Sequence, residues 1–468
     1  MRYIARMWTA AKWRQETGAL AKLAGPLIVN NLAIAGMQFA DAVMAGRLGA
    51  EALAAVAVGG SVWFFGFSFA LGTLMAISPI AARHYGAGRP ELIGSYTRQG
   101  VYLAVALGVF MIVLARMTVP GFLDFVGIDP AFREDTAGYV LAIVGGAPAI
   151  CVFLALRFTT EGIGSTRPFM YTSILSLVCN VFLNWVFMFG NLGAPAMGAV
   201  GCGLASALTM WVIMIFLAVY MGLHPRYRPL AIFSRLAPVR LDALREIVVL
   251  GVPIAITITA EAGLFNAVSI LMGTLGAAVA AAHQVAINFA STMFMIPLAL
   301  SSALTARVGL ALGAEDPVAA RRRGWLGIGL CGLFMTCSAA FMLLFRDAVV
   351  NLYTTDPSVT SIAVSLLLMA AIFQVVDGVQ IGAAGALRGY KDTRVPMVIN
   401  AIAYWVCAFP AAYFAAVVYR WPPVYVWGAF VIGLSVAALL LSTRFHFVAR
   451  RGEPLRPAAS GVRPDVGI

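Results

Sequence analysis

Twelve stretches of this chain stay apolar over about 20 residues, the length that carries a helix across the hydrocarbon of a bilayer. They lie at 26–47, 53–82, 99–119, 137–158, 169–190, 198–222, 247–273, 278–309, 324–345, 359–386, 396–418 and 424–445, divided by Gly, Pro and charged residues. In hydrocarbon every backbone N–H and C=O needs an internal partner, and a helix supplies its own. The expected fold is therefore an all-α polytopic membrane protein with 12 transmembrane helices. Only 11% of the 468 residues are charged and 61% are hydrophobic, whereas a soluble domain carries about 25% charged residues. Length here counts spans rather than soluble domains.

The net charge of +12 arises from 32 Lys and Arg against 20 Asp and Glu. These cations form no single stripe of the kind that binds nucleic acid; they alternate between the connections. Arg47, Arg116, Arg133, Arg346 and Arg420 fall on one side, and the other 27 of the 32 fall on the side that holds both termini. Short loops rich in Lys and Arg stay in the cytoplasm, so both termini are placed there. Arg clusters such as Arg321, Arg322 and Arg323 suit contact with anionic headgroups. Residues 1–25 interleave Arg2, Arg6, Lys12, Arg14 and Lys22 with Met7, Trp8, Trp13, Leu20 and Leu23, which predicts an amphipathic helix on the cytoplasmic face rather than a cleavable signal. Residues 449–468 read as a flexible cytoplasmic tail. The six cysteines show no paired spacing, hence no metal or disulfide framework.

Displacing the chain by 227 residues aligns it with itself. Pro26 meets Pro253, Leu48–Ala50 meets Leu275–Ala277, and Gly86 with Ala87 meets Gly313 with Ala314. Asp129–Pro130 meets Asp356–Pro357, and Thr166–Arg167 meets Thr393–Arg394. Each copy holds six spans, so both enter the membrane in the same direction, a parallel repeat about an axis along the membrane normal. The expected organisation is a six-helix lobe at 26–222, a cytoplasmic linker at 223–246 and a second lobe at 247–448, with a central cleft between pseudo-symmetric halves. Two lobes that rock about a central site suit transport.

Asp41, Glu261 and Asp377 fall well inside spans one, seven and ten. A charge at mid-membrane costs about 2.5–3.5 kcal/mol on insertion scales, so such groups mark partners, cavities or ion paths. Burial favours the neutral carboxyl and a bound cation the charged one, so protons, sodium and a cationic drug can compete for it. Asn180 and Asn184 share a face of span five; they suit either hydrogen bonding between helices or, with Asp41, an oxygen-ligand cation site. In span eight, Gln284 is read as facing the cleft, and His283 as either a packing residue or a proton relay. Phe265 and Met293 suit an adaptable apolar wall for flat aromatic cations.

The chain resembles the multidrug and toxic compound extrusion (MATE) transporters, and among them the bacterial NorM-type branch. The resemblance is carried by Phe39–Asp41 through Met44–Gly46, by Ala281–Asn288, and by Phe373, Gln374, Asp377, Gly385–Gly389 and Lys391–Thr393. It implies cation-coupled efflux of cationic and aromatic drugs and dyes, including fluoroquinolone-like compounds, from a bacterial inner membrane, conferring antibiotic resistance. It also implies that Glu261 and Asp377 form the second-lobe coupling-cation site, with Na+ as one candidate ion, and that Asp41, Asn180 and Asn184 form a first-lobe cation or proton site. Asp41, Ser61, Phe265, Gln284, Met293 and Asp356 are implied to line the drug cavity or its extracellular cap, although the Asp-Pro pair also lets Asp356 cap span ten. Phe373 departs from a tyrosine sought four residues before Asp377, which leaves sodium against proton coupling open.

The expected function is thus a multidrug antiporter working by alternating access, a monomer with no cofactor beyond its coupling Na+ or H+. A lipid-linked precursor flippase of the same broad superfamily is the alternative, though it would need a cationic central cavity. A prenyl-transferase-like enzyme would need metal-binding carboxylate clusters, and Glu134 with Asp135 is the nearest approach. A receptor-like binding protein would not require duplicated lobes.

Overall fold

Proline and glycine set the ends of the helices. Pro90, Pro130, Pro168, Pro317 and Pro357 each occupy the first turn of a helix, where the missing N–H leaves no hydrogen bond unmade. Asp129, Asp316 and Asp356 cap three of these starts by accepting from the backbone N–H of Ala131, Ala319 and Ser358. Gly49 and Gly276 turn the chain between consecutive spans at φ 126° and 120°, conformations closed to residues with a Cβ.

The computed structural model describes residues 10–233, 238–354 and 356–451, and within them 12 helices are long and apolar enough to cross a membrane. They are α1 (Ala10–Leu48), α2 (Ala50–Gly86), α3 (Pro90–Val126), α4 (Pro130–Gly162), α5 (Arg167–Phe187) and α6 (Gly198–Leu223). The second six are α7 (Leu241–Thr274), α8 (Ala277–Gly313), α9 (Pro317–Leu344), α10 (Pro357–Gly389), α11 (Arg394–Val418) and α12 (Pro423–Arg451). No strand occurs among the described residues. The protein is all-helical, in two repeated lobes of six spans.

The repeat is visible in backbone geometry. Left-handed residues recur at the 227-residue offset: Gly49 with Gly276, Gly88 with Glu315, Gly164 with Lys391, and Gly193 with Arg420. The lobes meet where α2 crosses α8. A Cβ on Gly86 would stand 2.2 Å from the Leu310 carbonyl oxygen, and one on Gly313 would stand 2.1 Å from that of Arg83. Arg83 and Gly86 are the repeat mates of Leu310 and Gly313, so rotation about the pseudo-axis carries the crossing onto itself. A Cβ on Gly309 would meet that of its mate Ala82 at 2.8 Å. Such close approach suits a membrane, where packing of small residues, not water exclusion, holds helices together.

Two departures from the sequence-based boundaries concern this seam. The segment up to residue 25, expected to lie apart on the membrane surface, is from Ala10 onward the beginning of α1, which runs through Pro26 without a break. Its Leu20 and Ala24 are buried against Leu304, Val308, Leu441 and Phe445 of the second lobe, which is why the stretch continues the helix. Reciprocally, α7 begins at Leu241, inside the expected linker, and its Ala243, Ile247 and Ile254 pack among Tyr96, Leu217 and Met221 of the first lobe. Arg2, Arg6, Met7 and Trp8, and the tail from 452 to 468, lie outside the described residues.

Candidate functional site

The three membrane carboxylates fall into two centres, one in each lobe. In the first, α1 presents Asp41 to α5. Asn184 Nδ2 donates to Asp41 Oδ1 at 2.5 Å and lies 3.2 Å from Asn180 Oδ1, while Asn180 Nδ2 reaches Ser206 Oγ on α6 at 3.4 Å. The buried Cys202 thiol of α6 lies near Asp41. Both asparagines are fully buried, and Asn184 Oδ1 has no hydrogen-bond partner among the described residues. Sequence reasoning brought these three residues together, and they form one network across α1, α5 and α6. An acceptor left bare beside a carboxylate is a place for a proton or a hard cation.

In the second lobe, Glu261 of α7 and Asp377 of α10 lie close enough to act on each other electrostatically. Asp377 is buried, and its Oδ1 has no hydrogen-bond partner among the described residues. Tyr404 of α11, fully buried, stands within reach of both charges, and its hydroxyl oxygen accepts from Gln380 Nε2 at 2.5 Å. Gln380 Oε1 and both amide atoms of buried Asn400 also lack partners among the described residues. α11 is held against α7 by Trp405 Nε1 donating to the Ala260 carbonyl at 3.2 Å. It also winds as a π-helix over Ile402–Ala408, a local widening frequent at functional sites. The donor set of two carboxylates, a phenol and the Gln380 amide is all oxygen at its acceptor atoms and suits a hard monovalent cation. Among the described residues no group of three His, Cys, Asp or Glu gathers as a transition-metal site would require.

Tyr404, Gln380 and Asn400 were not singled out from the sequence. A tyrosine was sought at 373, and Phe373 instead packs edge-on against Phe265, Trp427 and Phe430 at centroid distances of 6.1, 6.0 and 5.9 Å. Phe265 also lies against Phe430, centroids 5.0 Å apart and rings tilted by 30°. Phe265, half-buried, and Met293 both pack on the second-lobe core. His283 is satisfied at both ring nitrogens, accepting from Trp427 Nε1 at 3.1 Å and pairing with Ser269 Oγ at 2.9 Å. Of its two readings, this geometry favours packing.

Ser61 and Gln284 are exposed on α2 and α8. Exposed Asn288, the repeat mate of Ser61, accepts from the Tyr353 hydroxyl at 3.1 Å. These positions lie on the halves of α2 and α8 beyond their crossing. Asp356 is fully exposed and caps α10, accepting from Ser358 N at 2.9 Å and Ser358 Oγ at 2.7 Å, and those bonds hold its carboxyl below the usual range. Along α10 it is about 31 Å from Asp377 at 1.5 Å rise per residue, so it belongs to the helix mouth and not to the carboxylate pair.

The family model described as MatE matches twice, at residues 26–186 and 253–414, beginning at Pro26 and Pro253. Among curated proteins, the chain is 36% identical over 450 residues to multidrug resistance protein NorM of Vibrio vulnificus (strain YJ016), covering 95% of this chain and 98% of that one. NorM of Aliivibrio fischeri (strain ATCC 700601 / ES114) is 37% identical over 444 residues, 94% and 96% of the two chains. Among solved structures, a MATE in complex with MaD3S superposes with TM-score 0.85 at 21% identity, over 93% of this chain and 97% of that one.

Proposed function

Because the chain belongs to the MatE family, we propose that it is a multidrug efflux antiporter that moves cationic and aromatic drugs and dyes outward in exchange for inward-moving Na+ or H+. The carrying observation is the buried Asp377 carboxylate beside Glu261, with an unpartnered oxygen of its own and the unpartnered amide oxygen of Gln380 one turn along α10. An unpartnered buried acceptor costs about 1–3 kcal/mol, and a proton or hard cation removes that cost. The ion enters at this pair, and Asp41 with Asn180 and Asn184 serves as the first-lobe cation or proton site. Drugs occupy the cleft between the lobes, with Ser61, Gln284, Phe265 and Met293 toward its walls and Asp356 at its mouth. The Arg-rich end, where α1 starts and α12 ends, faces the cytoplasm of a bacterial inner membrane. In the conformation described, the α2–α8 crossing closes the seam at that end.

The unit is a monomer, since lobes, cleft and both acidic centres belong to one chain. It is a transporter and not an enzyme, with no cofactor beyond the coupling ion. The flippase alternative would need cations in the cleft for a phosphate, whereas the carboxylates occupy the spans and buried Arg388 lies in the seam between lobes.

The test uses purified protein in liposomes and an aromatic cationic dye, under a sodium gradient, a proton gradient, both and neither, with Asp377→Asn alongside. Gradient-driven dye movement that the variant loses is the expected result and names the ion. Parental transport by a correctly inserted variant removes Asp377 from coupling, and absence of movement under every gradient turns the assignment toward the flippase.

A further inference from the structure

Three charged groups at the seam between the lobes are unused by the cycle above. Glu161, near the end of α4, is 1% exposed, yet neither carboxylate oxygen has a hydrogen-bond partner among the described residues. The cations that act on it are Arg157, one turn earlier on α4, and Arg388 of α10 in the opposite lobe. Such a carboxylate persists ionised only where positive charge offsets it. Arg157 is fixed over the rings of Phe169 and Phe158, 5.2 and 5.7 Å from their centroids. Arg388 bridges the seam: Nη1 donates to Met75 Sδ of the first lobe at 3.4 Å and Nη2 to Ser301 Oγ of its own lobe at 2.7 Å. The same guanidinium also acts on Glu261.

We propose that Arg388 is a positioning residue that ties the cation site at Glu261 to closure of the seam, its guanidinium being shared between Glu161 of the first lobe and Glu261 of the second. The inference rests on the antiport reading. With the seam closed, Glu161 holds part of the guanidinium's charge and leaves Glu261 open to a cation. When the lobes part at the Arg-rich end, Glu161 departs with the first lobe, Arg388 turns wholly to Glu261, and the cation is displaced toward that side. Charge counting agrees. With all three carboxyls ionised, Glu161, Glu261 and Asp377 would carry three negative charges against two positive on Arg157 and Arg388, so that one monovalent cation or one proton neutralises the set. A neutral set is the one least costly to enclose away from water. By linkage, a cation that favours the closed seam is itself bound more tightly by the closed seam, by the same factor.

The test is amide hydrogen exchange of the full-length purified protein, in sodium chloride against choline chloride, and in choline chloride at mildly acid against mildly alkaline pH. Peptides containing Asp377 and Tyr404 report the cation site, and peptides containing Gly86 and Gly313 report the seam. In the parent, the cation that slows exchange at the first pair slows it at the second as well. Glu161→Gln keeps the response at Asp377 and Tyr404 and loses it at Gly86 and Gly313, and Glu161→Asp restores it. Arg388→Lys, which keeps the charge but cannot bridge two partners, shows the same selective loss and carries the test if the glutamine variant fails to insert. A Glu161→Gln protein whose seam responds as the parent's does, or a parent seam that ignores a cation its acidic centre binds, overturns this inference alone. No cation response at Asp377 and Tyr404 overturns the antiport reading as well.

Discussion

Tyr404 is the residue whose removal separates cation binding from packing. Tyr404→Phe keeps the ring but deprives Gln380 Nε2 of its acceptor, which costs about 1–3 kcal/mol for a buried group. The expected outcome is a several-fold weaker dependence of dye efflux on the coupling ion, read as the ion concentration at half-maximal rate, with drug affinity little changed. His283→Phe should behave in the opposite way. It orphans buried Trp427 Nε1 and lowers thermal stability by a similar amount, while the ion dependence of transport stays at the parental value. How far the sequence revealed these sites follows from where each signal lay. Asp41, Asn180 and Asn184 were legible because an acid inside a span and an i, i+4 amide pair are both anomalies in an apolar run. Glu161 escaped because Thr159, Thr160 and Gly162 around it resemble a loop, whereas the helix carries it into the seam. Tyr404 escaped because an aromatic in a long apolar span looks unexceptional until folding sets it beside Asp377.

At the level of helices, the α2–α8 crossing depends on the absence of two side chains. Gly313→Ala forces a methyl to 2.1 Å from the Arg83 carbonyl oxygen, and neither group is a flexible side-chain tip. The helices must separate, so faster hydrogen exchange of peptides spanning the crossing is expected, with efflux shifted or lost. Gly49→Ala and Gly276→Ala test the turns, since φ near 120° penalises any Cβ; each should lower stability by about 1 kcal/mol or more. Span number and repeat were readable because hydropathy and Pro/Gly punctuation are local signals. Span lengths were less so: α1, α3 and α4 outrun their apolar windows by continuing into polar turns. The short helix Arg346–Tyr353 fell between two apolar windows and is too short to stand out there, and the π-helical segments of α11 leave no mark in an apolar run.

For the molecule as a whole, closure at the Arg-rich end is reinforced by a clasp between distant parts of the chain. Glu16 on α1 pairs with Arg307 of α8 and, at 3.1 Å, with Arg323 of α9. These side chains are 16–22% exposed, so the pairs are neither fully screened nor fully buried. Glu16→Gln leaves two partly buried guanidiniums facing each other and should weaken closure by roughly 1–3 kcal/mol, discounting the buried-pair range for solvent. The expected readout is a more open Arg-rich end in a distance measurement between the lobes, with the parent moving the same way as salt is raised. The crossed starts of α1 and α7 also bear on how such a chain is made. Leu20 and Ala24 emerge from the ribosome long before α8 and α12 exist to receive them, and Glu16 must wait through 291 residues of synthesis for Arg307. The two halves are repeats in sequence without being separate units of assembly: a nascent first half stays unfinished at its inner end until the second is inserted beside it.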